Sequence, residues 1–149
     1  MSQPDFSVRA FLPKDAEALA VLTTELGYPT TTAQMTARME TISACADHWT
    51  FVAVREGTIA GYIGMSKQFF WEQDGHFIRI QALVVKKEFR RHGVGKLLIE
   101  TAEQLAGFND AKMLLLNCGN REERQAAHLF YPEMGFEAKS TGYVKGVKI

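Results

Sequence analysis

Several things are missing from this 149-residue chain, and each absence removes a class of protein. Only two cysteines occur, Cys45 and Cys118. They offer neither a disulfide framework nor the spacing of metal ligands, so no metal site is expected. Net charge is absent too, with 17 basic residues balancing 17 acidic ones. A protein that grips nucleic acid through a broad basic face is thereby disfavoured. No apolar run reaches the roughly 18 residues a membrane span requires. The first residues are polar and acidic where a secretory leader would need an apolar core, so a soluble cytoplasmic protein is the expectation.

What is present has the composition of an ordinary folded domain. Hydrophobic residues make up 46% and charged residues 23%, and the length suits one domain spanning 1–149. Phe6 to Phe11 reads as a strand. Pro13-Lys14-Asp15 opens a helix carrying Leu19, Leu22 and Leu26, stopped by Gly27 and Pro29. Thr31 and Gln34 have capping-box spacing, and the helix they start carries Met35, Met39 and Ile42 toward a core or a subunit contact. Strands Thr50 to Val54 and Thr58 to Gly64 meet at the hairpin signal Glu56-Gly57, and Asp74-Gly75 is a second such signal. Along the strand His76 to Val85, strict alternation puts Ile78, Ile80, Ala82 and Val84 on one face. Phe77, Arg79, Gln81, Leu83 and Val85 take the other. A helix from about Gly95 to Ala106 buries Leu98, Ala102 and Leu105 and ends at Gly107. Met113 to Cys118 is apolar enough for a sheet centre. A short helix from Glu123 to Tyr131 ends near Pro132, and the tail from Phe136 has strand-like pieces anchored by Tyr143 and Val147. One mixed α/β domain accounts for the whole pattern.

The most informative stretch joins the strand ending Leu83-Val84-Val85 to the turn Arg90-Arg91-His92-Gly93-Val94-Gly95-Lys96, which opens a helix. Backbone N–H groups, the helix dipole and nearby cations converge there and make a seat for phosphate. Two better-known glycine loops do not fit. A phosphate loop of the Walker type needs Ser or Thr after its lysine, and Leu97 stands there. A dinucleotide fingerprint needs a third glycine where the chain has Leu98.

The pattern L-x-V, then R-x-x-G-x-G-K-L-L, then Phe130-Tyr131 and Gly135-Phe136, resembles the GNAT superfamily of acetyl-CoA-dependent acetyltransferases along nearly the whole chain. The resemblance implies a mixed, mainly antiparallel sheet splayed between two strands and flanked by helices. It implies acetyl-CoA as cofactor, with the pyrophosphate on the turn from Arg90 through Arg91, His92, Gly93, Val94 and Gly95 to Lys96. Backbone groups of the segment Leu83, Val84 and Val85 would pair with the pantetheine arm, near a bulge that parts two strands. The run Arg124 to Tyr131 is similar to small-molecule members such as the aminoalkylphosphonate acetyltransferases, although many other members carry Asn where this chain has Arg124. Dimers are common in the superfamily, so a homodimer is a further implication.

Acetyl transfer to an amine needs a neutral nucleophile, a polarised thioester carbonyl and a proton or hydrogen bond for the departing thiolate. By family position Tyr131 supplies the last; the alternative is a core aromatic beside Phe130. A phenol of pKa about 10 reaches a thiolate of pKa about 8.5 only when well placed. No base is assigned, because Arg79 and Gln81 stand where many members place a carboxylate and neither is basic enough in its available form. Glu72, Asp74 and His76 are candidates through water, or solvated hairpin residues. Arg79 and Gln81 are acceptor-side candidates, and a guanidinium at Arg79 suits an acceptor bearing carboxylate or phosphonate. Asn117 could orient ligand or water. His128 could touch the cofactor, and Phe69-Phe70-Trp71 either lines an acceptor pocket or packs a hairpin. The expected activity is N-acetylation of a small-molecule primary amine. A protein N-acetyltransferase and a catalytically silent coenzyme A-binding module are the alternatives.

Overall fold

The computed structural model describes residues 6–118 and 125–148, in two compact units that divide after Leu116. The first unit contains a five-stranded sheet in chain order: β1 (Ser7–Ala10), β2 (His48–Arg55), β3 (Thr58–Phe69), β4 (His76–Val85) and β5 (Leu114–Leu116). Pairing is antiparallel from β1 to β4 and parallel between β4 and β5. Helices α1 (Ala16–Leu26) and α2 (Thr32–Ala44) lie on one face, and α3 (Val94–Phe108) crosses the other. This is the mixed, mainly antiparallel α/β architecture the sequence implies.

Local signals set the helix and hairpin ends. Thr31 accepts from the Gln34 amide at 3.1 Å while Gln34 Oε1 accepts from the Thr31 amide at 2.9 Å, the reciprocal pair a capping box requires. Gly27, at φ 116°, closes α1 in a conformation that costs glycine little. Glu56 and Gly57 both have positive φ, as a two-residue hairpin turn between right-twisted strands demands. Ahead of α1, Asp15 is buried and takes two hydrogen bonds from the Arg9 guanidinium at 2.7 and 2.9 Å, plus one from the Leu12 amide at 2.8 Å. These bonds, chiefly those from Arg9, hold its carboxyl below the usual range.

Alternation along β4 is broken, and this corrects the face assignment drawn from sequence. Ala82 pairs with Gly64 and Ile80 with Met65, so Gln81 is an extra residue in a β-bulge. One inserted residue exchanges the two faces beyond it. Ile78 and Ile80 therefore share a face with Leu83 and Val85, toward α3, while Arg79 and Phe77 share the other with Ala82 and Val84. Of the second group, Val84 joins the cluster of Leu19, Leu22, Met35, Met39, Val52 and Tyr62 beneath α1 and α2, with Ile42 and Ala82 packed against it. In that core Thr23 and Tyr62 hydroxyls meet at 2.6 Å, and burial pushes the phenol's pKa up.

Other expectations need smaller corrections. Helix α3 passes through Gly107 and ends at Phe108, capped by Asn109, and its buried stripe is Val94, Leu98, Ile99, Ala102 and Ala106, with Leu105 only half-buried. A spacing of four residues fits the sheet better here than one of three. β5 is three residues long and pairs only with β4, so it is the edge rather than the centre of the described sheet. Apolar content alone does not distinguish those positions. In the second unit α4 (Gln125–Glu133) continues through Pro132, and the chain leaves it at Gly135, φ 93°. Glu123 and Arg124 lie outside the described residues. No strand forms among residues 136–148, and Tyr143 and Val147 are exposed. A β-prone segment becomes a strand only where a neighbouring ladder accepts it.

Candidate active site

The glycine turn begins at the end of β4. Lys86 donates its amide to the Ala60 carbonyl at 2.7 Å, and a 3-10 turn (Lys87–Phe89) follows. Arg90 is extended; Arg91 and Gly93 are both left-handed, at φ 67° and 84°. The first i to i−4 bond of α3 runs from Leu97 to the Gly93 carbonyl at 3.0 Å. The amides of Val94, Gly95 and Lys96 therefore precede any helical acceptor and stand at the positive end of the helix dipole. Arg90, Arg91, His92 and Lys96 are exposed around them, whereas Val94 is 1% exposed and pins the helix start to the sheet.

Gly61 allows that pinning. A Cβ there would lie 2.6 Å from the Val84 carbonyl and 3.2 Å from a Val94 methyl. Gly61 is also the register partner of Val85. The start of α3 thus packs directly over the last pairs of the β3–β4 ladder.

Among the described residues the edge of β4 beneath it has no strand partner from Gln81 onward, since β5 pairs only with Ile78 to Ile80. The Lys86–Ala60 bond sets the antiparallel phase, in which Val84 directs its backbone groups to β3 while Leu83 and Val85 direct theirs outward. Backbone groups on such an edge, beside a helix N-terminus, are of the kind that pair with an extended amide and with phosphate.

The remaining candidates fall in different places. Arg79 is opposite Ser66 and shares its face, and Gln81 is exposed at the bulge. The two are therefore not companions on one face, as alternation had placed them. Phe70 packs against Phe77 with ring centroids 5.0 Å apart, and Trp71 is fully exposed at the hairpin end. The Glu72 carboxylate accepts from the Trp71 amide, and His76 Nε2 is hydrogen-bonded to the Asn109 carbonyl. In the second unit Tyr131 is buried between the rings of Phe130 and Phe136, at 5.4 and 5.8 Å. Asn117 lies where a Cβ on Gly142 would approach its amide at 3.1 Å, and His128 is exposed on α4.

Comparison with known proteins decides the family. The sequence profile of the Acetyltransferase (GNAT) family matches residues 17–136. The chain belongs to the GNAT acetyltransferase family. A GNAT family acetyltransferase from Staphylococcus aureus is 30% identical, with 95% of this chain and 98% of that one covered and a TM-score of 0.82. Glucosamine-6-phosphate N-acetyltransferase from Arabidopsis thaliana is 22% identical, covering 97% and 99% at a TM-score of 0.81. An aminoglycoside N-acetyltransferase in complex with CoA is 17% identical, covering 97% and 96% at 0.81. The last two likenesses show the fold. None of the curated proteins matches the chain. As a GNAT acetyltransferase the chain is an enzyme of acyl transfer, and no described helix is long and apolar enough to cross a membrane.

Sequence reasoning missed three contributors to this site. Gly61 lies in a strand with no signal beyond being glycine. Arg55 and Phe6, far apart in sequence, both meet Phe89 at the foot of the turn.

Proposed function

We propose that this protein uses acetyl-CoA to acetylate the primary amine of a small molecule by direct attack of the amine on the thioester. The observation carrying this reading is the uncapped start of α3 packed over the edge of β4. When bound, the cofactor supplies an activated acetyl group. The amides of Gly93 to Lys96 would hold its pyrophosphate, with Arg90, Arg91 and Lys96 adding positive charge. Leu83 and Val85 would orient the pantetheine arm through their backbone groups, and the Leu83 amide would polarise the thioester carbonyl. Val84 serves the site only indirectly, since its side chain belongs to the core. Tyr131 would donate a hydrogen bond to the leaving sulfur.

On the acceptor side Arg79, Gln81 and Asn117 are the proposed contacts. A guanidinium at Arg79 favours an amine that also carries a carboxylate or phosphonate, as in the aminoalkylphosphonate acetyltransferases. The same reading treats the 149 residues as one domain acting in the cytoplasm, with homodimer assembly to be tested by sedimentation. Steady-state assays on a panel of amines, with and without an anionic group, test the proposal. Tyr131→Phe is expected to lower kcat about 100-fold while coenzyme A binding measured by calorimetry persists. Tight coenzyme A binding with no amine acetylated would instead establish a silent binding module, the reading favoured by the absence of a strand carboxylate beside Arg79. Acetylation of peptide N-termini or lysines in preference to small amines would move the substrate class to proteins.

A further inference from the structure

The turn is propped from outside by a group of side chains that take no direct part in the proposed chemistry. Phe89 ends the 3-10 turn just before Arg90. Its ring meets Phe6 edge-on, with centroids 5.7 Å apart and planes at 83°. On the other side it meets the His92 ring at 6.2 Å and 85°. The Arg55 guanidinium, at the end of β2, lies 4.9 Å from the Phe6 centroid and 4.8 Å from that of Phe89. The His92 amide donates back to the Phe89 carbonyl at 3.2 Å, closing the first part of the turn. At the same place the Lys87 amide donates to Glu25 Oε1 of α1 at 3.3 Å.

Such bracing has a reason. Arg91 holds a left-handed conformation that a non-glycine residue leaves readily, at a cost of about 1–2 kcal/mol. A strained residue persists only where its surroundings over-determine it. Val94 fixes the far side of the turn by burial, and the Phe89 stack fixes the near side. With both ends fixed, the amides of the turn are held in position before ligand arrives, and ordering them costs little on binding.

We infer that Arg55 is a positioning residue for the coenzyme turn, acting through the rings of Phe6 and Phe89 and not through its charge alone. The inference rests on the reading of that turn as the coenzyme A pyrophosphate site. A planar guanidinium spans two rings; a lysine ammonium is a compact, strongly hydrated point charge and does not. The proteins to compare are wild type, Arg55→Gln, Arg55→Lys and Phe6→Leu. Each is measured for coenzyme A affinity by calorimetry, for KM of acetyl-CoA and kcat in steady state, and for Tm. The expected result is an affinity loss and a KM rise of about five- to tenfold in Arg55→Gln, the value of a half-buried guanidinium held against two rings. kcat should change less than about twofold, Arg55→Lys should recover no more than about half of the loss, and Phe6→Leu should follow in the same direction. Full recovery in Arg55→Lys would overturn the inference in favour of charge. A fall in Tm with affinity and KM unchanged would overturn it in favour of a structural role. If wild type itself binds no coenzyme A, the proposed function fails. If wild type binds and all three variants bind equally well, only the role of Arg55 fails.

Discussion

The donor turn and the face of β4 that carries Arg79 lie a few residues apart in sequence, yet they are encoded differently. The turn is local: glycine spacing, two left-handed residues and a helix start occur within Arg90 to Lys96. The Arg79 face is not local. It depends on a single extra residue, Gln81, which is recognisable only when β4 is laid against β3. A motif made of backbone geometry survives being read in one dimension. The direction of a side chain past a bulge does not.

A charge at Ile78 attacks this contrast most directly. Ile78→Asp would bury an unpaired carboxylate on the α3 face, and a loss of about 4 kcal/mol or more is expected in urea melts. A wild-type midpoint would mean that Ile78 does not face α3 as the bulge requires. Next in size is Asp15→Ala, which strips the Leu12 amide of its acceptor and leaves the partly exposed Arg9 guanidinium to rehydrate, and should cost about 2 kcal/mol. Acid gives the same test without mutation. The Asp15 carboxyl titrates lower when folded than when unfolded. Its stabilisation is therefore full above an unfolded pKa of about 3.9 and is lost as pH falls through the folded value. Wild type should lose more stability than Asp15→Asn over that acid range in parallel melts.

Two glycines of β3 sharpen the comparison further. Gly61→Ala on the α3 side forces a Cβ against the Val84 carbonyl and should cost about 2 kcal/mol and raise the KM for acetyl-CoA. Gly64→Ala on the Arg79 side meets only the Ala82 methyl, at 3.7 Å, and should change stability by less than about 0.5 kcal/mol. Equal effects at both positions would remove the distinction between the faces. Between these two in size is Thr31→Ala, expected to cost about 1 kcal/mol through loss of the α2 cap.

Most element positions were legible because they depend on short-range chemistry. The capping box of Thr31 and Gln34, the stop at Gly27 and the hairpins at Glu56-Gly57 and Asp74-Gly75 each act over a few residues. The α3 boundary was less so, because the helix passes through Gly107 and is closed two residues on by the amide and side chain of Asn109, which bond back to Leu105. The leucines of β5 and the aromatic tail residue Tyr143 were misplaced for one reason. Strand character says that a segment tolerates a sheet but not which neighbour it will find.

By itself, then, the sequence determined the mixed α/β pattern, the glycine turn and the family likeness, because backbone conformation follows from glycine positions and hydrophobic periodicity. Only the tertiary structure decided that Arg79 and Gln81 part company and that Gly61 admits Val94. It also brought Arg55 and Phe6 from distant positions to the foot of the turn. Those outcomes depend on strand register and on close approach between elements remote in the chain, and neither quantity exists until the chain has folded.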